Sequence, residues 1–530
     1  MTPADARSLA AGTTLETDLC IVGAGAAGIS LATALAGSGI AVLLVEGGDR
    51  APDEATQALH EVDSAGYPLR PNYINRARQY GGSSNLWAGR CMALWPEDLG
   101  ERSWVRDGRW PLPIAELERY LPAAGKLLDL PDTSLLAAPA WSGRLSPTER
   151  AVYAGDDLVP TVSLWGRKAM RFAGIHGPTL RRAANVRVLL NANAVGLSAA
   201  DGGGRVEALD LATLDGKRLR VRARRYVLAA GGMENARLLM LSAGLALSRA
   251  HLGRYFMDHP RAVFGKVRLE PGARVPLLRG WPLRDGKVQL GMALSPELQR
   301  RERLLNHYCT FEAEVSGYTA QTYQAGVDVA KVLLRKGHAG GRLDFSRLGK
   351  DRVEGFIYQL SPKEILPHWA FRLAVAAKAR LRPPKGPQRC VIVTFCEQPP
   401  DPDSRVTLGT GTDALGLPRL TVDWRIGEDV RHSLYRLHEV LGETLARQGI
   451  GRLEPGDPAT LAFTDASHHL GTTRMADDAA GGVVDRDGRA FGVGNLWLAG
   501  SSVFPSGGHA NPTLTIVALA LRLADQLRAA

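Results

Sequence analysis

The sequence predicts an α/β protein with two parts: a Rossmann-like dinucleotide-binding domain assembled from discontinuous pieces, and an α+β substrate domain built on an antiparallel sheet. Three observations predict it. Residues 18–48, DLCIVGAGAAGISLATALAGSGIAVLLVEGG, run apolar strand, G-x-G-x-x-G, Ala-rich helix, second apolar strand and acidic residue, a complete β-α-β nucleotide-binding unit. A second strand-turn-helix stands far downstream in RRYVLAAGGMENARLLMLS. Further along, the strand-like runs DGKVQLGMAL, YCTFEAEV, CVIVTFCEQPP, DSRVTLG and PRLTVDW predict antiparallel pairing.

In the first unit, Gly23 allows the tight turn, Gly25 lets the backbone approach a pyrophosphate, and Gly28 permits close packing of helix on strand. Glu46 ends the second strand where a ribose hydroxyl would meet its carboxylate. The motif alone does not separate FAD from NAD. In the second unit Val227 to Ala230 form the strand, Gly231-Gly232 the turn, and Asn235 to Leu241 the helix. No second G-x-G-x-x-G exists, since GTGTDALG near Gly409 lacks the spacing and a following helix; one tightly held cofactor is the inference. The chain closes with GNLWLAGSSVFPSGGHANPTLTIVALALRLADQL. Gly494 to Ala499 read as a buried strand, Gly500 to Ala510 as a loop of small and turn-forming residues, and the pattern after Pro512 as an apolar helix. Pro suits a first helical turn, whose free N–H groups offer partial positive charge to an anion or an electron-rich ring.

At 530 residues and 45% apolar content the chain can bury a large core in two or more domains. MTPADARSLAAGTTLETDLC has neither a basic start nor an apolar run, and no stretch of 18 uncharged apolar residues occurs, so a cytoplasmic enzyme is expected. Cys20, Cys91, Cys309, Cys390 and Cys396 are scattered without C-x-x-C spacing, which predicts buried thiols and no metal site. The net charge is +11, and Lys331 to Lys385 alone holds 13 Lys/Arg against 4 Asp/Glu. No aromatic-interleaved basic strand or helix-turn-helix accompanies it, which argues against nucleic acid. Within this segment EILPHWAFRLAVAAKARLRPPKG sets Leu366, Trp369, Leu373, Ala377 and Leu381 on one helical side. That helix would cover the substrate domain; the other reading is contact with the inner face of a membrane, or guidance of an anionic or lipid-linked substrate.

Five segments together resemble the glucose-methanol-choline (GMC) family of FAD-dependent oxidoreductases: Gly23 to Glu46, YGGSSNLWAGRC, VLAAGGMENARLL, LGRYFMDHP, and the block from HHLGTTRM to HANPTLT. The last block resembles most closely the bacterial members, pyranose oxidases and sugar dehydrogenases. The resemblance implies FAD, with the helix after Pro512 aimed at the isoalloxazine. It implies His468 as general base by the H-x-x-G-T spacing, with His469 as the alternative one residue on, and Asn511 at a position that holds Asn or a second His. It places Gly81, Gly82, Ser84, Val195, Gly500, Ser501, Asn511, Pro512 and Thr513 around the cofactor beside the fingerprint residues. Asn85 is either a partner of flavin or substrate or a local turn residue. Leu86 stands where some members carry a flavin-attaching histidine, so FAD is expected without a covalent link. Trp87 is expected in core packing, Arg474 and His259 in structural roles, and His509 as a loop histidine bonded to backbone.

The resulting layout is an FAD domain from 1–105, 180–262 and 456–530, linker and lid elements at 106–179, and a substrate domain at 263–455. Strands of the latter are DGKVQLGMAL, YCTFEAEV, CVIVTFCEQPP, DSRVTLG and PRLTVDW, before a helix from Glu428 to Gln448. The implied activity is oxidation of a CH–OH group of a sugar, glycoside or polyol by hydride transfer to flavin. A dehydrogenase of a hydrophobic or lipid-linked alcohol, and a non-redox FAD lyase or flavin-binding protein, are the alternatives. The partner is a small-molecule alcohol, and the acceptor is oxygen, a quinone or a protein.

Overall fold

The strands around the fingerprint are apolar on both faces, so the sheet they form must be covered on both sides. In Thr14–Val22 the residues Leu19, Cys20, Ile21 and Val22 are all buried, as is every residue of Val42–Val45. The structure, a computed structural model, describes residues 3–70, 75–168, 170–313 and 389–529. The basic segment 331–385 and its expected helix lie outside the described residues.

Six strands run parallel in the order Ala4–Asp5, Val186–Leu190, Val42–Val45, Thr14–Val22, Arg218–Leu228 and Leu496–Leu498. Val206–Ala212 and Asn193–Ala199 extend the sheet antiparallel beyond Arg218–Leu228. The sheet thus collects strands from three separated stretches of chain. The fingerprint helix Ala26–Ala34 is small-residue-rich around the buried Ile29 and Leu31, and it packs directly on the C-terminal helix Thr513–Ala529. Their N-terminal ends line the same space, Ala26 and Ala27 from one and Thr513 and Ile516 from the other.

The second sheet is antiparallel: Trp281–Leu283, Gly286–Leu294, Tyr308–Ala313, Arg389–Phe395, Arg261–Leu269 and Gly451–Glu454. Leu158–Gly166 adds to it along Gly286–Leu294. Gly286–Leu294, Tyr308–Ala313 and Arg389–Phe395, which fall within the predicted strands DGKVQLGMAL, YCTFEAEV and CVIVTFCEQPP, form its centre. DSRVTLG and PRLTVDW do not join it. They pair with each other, Arg405 opposite Asp423, and with Val62–Ser64 in a separate three-stranded sheet. The reason is packing: Val406, Leu420 and Val422 bury against Met233, Phe256 and Trp424, a cluster distinct from the second sheet's core. The helix Glu428–Arg447 places Val430, Leu434, Leu437, Leu441 and Leu445 fully inside, at the three- and four-residue spacing of one helical face. All five cysteines are free and buried. Among the described residues no helix is long and apolar enough to cross a membrane.

Candidate active site

One cavity of about 510 Å³ runs from the glycine turn of the first sheet to the antiparallel sheet. At one end the fingerprint builds it. Gly23 has φ +102°, and a Cβ there would stand 2.6 Å from Ala229 O, so only glycine closes this turn. A Cβ on Gly28 would collide with Gly23 O, which is the helix-on-strand contact expected. Gly25 meets only Gly82 Cα at 3.9 Å, leaving its backbone open toward the cavity. The Glu46 carboxylate accepts N–H groups from Ala24 and Gly48, each at 2.9 Å. Burial raises its pKa, and those backbone bonds offset part of the rise.

These residues fit FAD on two further counts. The buried Arg78 Nη1 lines the cavity without a hydrogen-bond acceptor, 3.6 Å from the Glu234 carboxylate, a cation available to a phosphate. At the C-terminal helix Pro512 O accepts from Ile516 N, so the first-turn amides after Pro512 have no partner within the helix. Pro512, Thr513 and Ile516 line the cavity together with Gly500 and Ser501.

His468 and Asn511 meet in the same cavity. His468 Nε2 lies 3.2 Å from Asn511 Nδ2, and His468 Nδ1 lies 3.0 Å from Nδ1 of His259. Two turns are tied together to achieve this. The buried Asp258 carboxylate accepts the backbone N–H of His259 (2.6 Å), Ala466 (2.9 Å) and His468 (3.0 Å). Burial lowers the His468 pKa well below the ordinary imidazole range, helped by the neighbouring His259 and His469 rings and by Arg70 and Arg90. His468 is therefore neutral at physiological pH, the form that accepts a proton.

Asn511 is oriented from its other side. The Tyr308 hydroxyl donates to Asn511 Oδ1 at 3.4 Å and receives Arg90 Nη1 at 3.2 Å. Arg90 also donates to Gln289 Oε1 at 3.0 Å, and its guanidinium stands over Trp165 and Phe395 at 4.9 and 5.1 Å from the ring centroids. Phe395 stacks on Tyr308, 6° from parallel. Arg90, Trp165, Arg261 and Phe395 thus form one connected wall of the cavity, and Leu86 and Trp87 also line it.

Gly23, Gly25, Glu46, Gly82, Ser84, Gly500, Ser501, His468, Asn511, Pro512 and Thr513 all line this one cavity. Four candidates do not. Gly28 packs behind the turn, and Gly81 holds the loop by donating its N–H to Ala24 O. Asn85 donates to Tyr80 O at 3.0 Å and serves the local turn. Val195 sits at a register shift between Ala194 and Gly196; this bulge leaves Ala192 and Ala194 on the cavity wall instead. Trp87 lines the cavity rather than being wholly core, with Nε1 donating to Met170 O. His509 is buried, but its partners are the side chains of Asp98 and Asn306, not backbone. Arg474 is structural as expected, bonded to Asp107 O and stacked over Tyr255. His469 also borders the cavity, yet its ring stacks on Phe256 and its Nε2 faces Asp258 at 3.8 Å. Asp258, Asp465 and His469 gather ligand-type atoms within 4.8 Å, but both carboxylates already accept backbone N–H groups and Asp465 also pairs with Arg70. Sequence reading missed His259 as a neighbour of the base, and Tyr308 and Arg90 altogether.

The described geometry agrees with relationships to known proteins. Residues 18–257 match the FAD dependent oxidoreductase family model, and residues 400–520 the GMC oxidoreductase model. The fructose dehydrogenase large subunit of Gluconobacter japonicus is 24% identical, aligned over 97% of this chain and 98% of its own. Paromamine 6'-oxidase of Streptomyces fradiae is 36% identical over 25% of this chain and 24% of its own. Among solved structures, pyridoxine 4-oxidase from Mesorbium loti superposes with a TM-score of 0.58 at 19% identity, over 97% of this chain and 99% of that one. Both halves of the cavity fall inside these matches, the glycine turn in the first and His468 with Asn511 in the second. The chain is an FAD-dependent oxidoreductase that carries a GMC oxidoreductase domain over residues 400–520.

Proposed function

We propose that the protein oxidises a CH–OH group of a sugar, glycoside or polyol, with His468 as general base. The observation that carries this reading is His468 Nε2 3.2 Å from the side-chain amide nitrogen of Asn511, in a cavity continuous with the nucleotide cradle. FAD, when bound, supplies the acceptor for the hydride. His468 Nε2 takes the hydroxyl proton. Asn511 Nδ2–H stabilises the oxygen as negative charge develops on it. Trp165 and Phe395 line the cavity beside Arg90, and Arg90 offers N–H donors to the hydroxyls of a sugar. Relatives named as fructose dehydrogenase, paromamine 6'-oxidase, C-glycoside 3-oxidase and pyranose 2-oxidase support a carbohydrate-type substrate.

The test is an anaerobic screen of sugars, glycosides, polyols and long-chain alcohols, read as bleaching of the bound flavin. Bleaching by hydrophobic alcohols alone would replace the carbohydrate reading with that of a lipid-type dehydrogenase. A protein that keeps its yellow colour with every alcohol would be a lyase or a non-redox binder.

FAD is held without a covalent bond in this reading, because the cavity-lining Leu86 stands at the attachment position and has no nucleophile. Acid or heat precipitation should release all of the flavin into the supernatant. Yellow protein in the pellet would contradict it.

A further inference from the structure

His259 completes the base. Its Nε2 lies 3.0 Å from Gly508 O, and a carbonyl oxygen only accepts, so this nitrogen carries the ring proton. Neutral His259 then has its lone pair on Nδ1. The proton in the 3.0 Å contact between the two Nδ1 atoms must belong to His468. Its Nε2 is thereby left unprotonated and accepts from Asn511, whose orientation is set independently by the Tyr308 hydroxyl. The order of donors runs from Asn511 to His468 to His259 to Gly508 without a conflict. The end of this chain is rigidly held: the turn carrying Gly508 is pinned by the buried Asp98, which bonds His509 and, through its carbonyl, Ser506.

We propose that His259 and His468 work as a two-histidine base, in which the proton taken from substrate is matched by a second transfer between the imidazoles. The substrate O–H bond breaks and an N–H bond forms at His468 Nε2. The N–H bond at His468 Nδ1 breaks and one forms at His259 Nδ1. No net proton is lost: His468 ends as the neutral Nε2–H tautomer, hydrogen-bonded to the product oxygen, and the positive charge rests on His259. There both N–H groups have acceptors, Gly508 O and His468 Nδ1. Glu397 lies in range to favour that charge, while His509 opposes it; burial holds His259 at a pKa of about 4, so it starts neutral. Around His468 the other facing charges are Arg70, Arg90 and His469, with Asp258 engaged by backbone and Asp465 by Arg70. His259 touches His468 and not the substrate; it is a positioning residue that also receives charge.

The inference rests on His468 being the base, and the experiment separates the two claims. In holoenzyme labelled with ¹⁵N-histidine, the resting His468 signal should show a protonated Nδ1 and an unprotonated Nε2; the reverse tautomer would overturn the pairing without any variant. His259→Ala should retain FAD but reduce it about 30-fold more slowly at saturating substrate. His259→Asn keeps an acceptor for His468 Nδ1–H but cannot become cationic. It should restore the tautomer signal while remaining about 10-fold slow, with the acid limb of its pH profile displaced. Wild-type rates in His259→Asn would reduce His259 to orientation alone. Wild-type rates in His259→Ala, with His468→Ala inactive, would overturn the pairing and leave the general base standing; activity retained in His468→Ala would remove both.

Discussion

His468→Ala is expected to bind FAD as the wild type does and to lose about 100-fold or more in the rate at which an alcohol substrate bleaches the flavin, the scale of lost general-base assistance. Binding survives because the cradle is built elsewhere, from the Gly23 turn, the Glu46 carboxylate and the first turn after Pro512. The pH dependence adds a signature. The active form is neutral, and burial lowers the pKa of His468, so the wild-type rate should hold as pH falls below 6.5 and decline only when pH reaches the lowered value. The variant should lack that limb. Stopped-flow reduction across pH, with flavin content measured on the same samples, checks both. If His469→Ala is slow and His468→Ala is not, the base is the neighbouring histidine, against its stacking on Phe256.

The parts of the site that were legible in the sequence are those whose chemistry is local. The G-x-G-x-x-G turn needs glycine for steric reasons that act within a few residues, and the structure meets them at Gly23 and Gly28. The family resemblance of HHLGTT and HANPTLT likewise pointed to His468 and Asn511 through short motifs, and they meet at 3.2 Å. What the sequence did not show is what acts at a distance along the chain. His259 is 209 residues from His468, and Arg90 is 218 from Tyr308. Nothing in either local pattern marks the partner. Val195 failed for another reason: alternation along a strand predicts facing only where the ladder is regular, and a bulge moves it off the wall. DSRVTLG and PRLTVDW were recognisable as strands, but a strand pattern does not say which sheet it joins, and Val62–Ser64 supplied the third strand of theirs.

The same long-range logic governs the joint between the cofactor and substrate sides, and its disruption should have the largest effect on stability. Glu397 opens the E-Q-P-P stretch after the strand Arg389–Phe395, is fully buried, and takes Arg102 in a two-pronged pair, with Nη1 at 2.8 Å. Burial opposes the guanidinium charge, yet the carboxylate outweighs it and holds the Arg102 pKa above its ordinary value. Glu397 also accepts Asn306 N at 2.7 Å, and the Asn306 side chain reaches Asp98 at 2.8 Å, the residue that pins the Gly508 turn. Arg102→Ala would leave a carboxylate buried without its cation, and should cost about 3–5 kcal/mol of unfolding free energy. Arg102→Met with Glu397→Leu removes both charges and should recover more than half of that loss, because an apolar pair carries no desolvation penalty. Recovery will stay incomplete, since Asn306 N–H loses its acceptor. Denaturant unfolding of the holoprotein, followed by flavin fluorescence and circular dichroism, provides the measurement. A wild-type midpoint in Arg102→Ala, or a double variant weaker than the single, would show that this ion pair does not hold the joint.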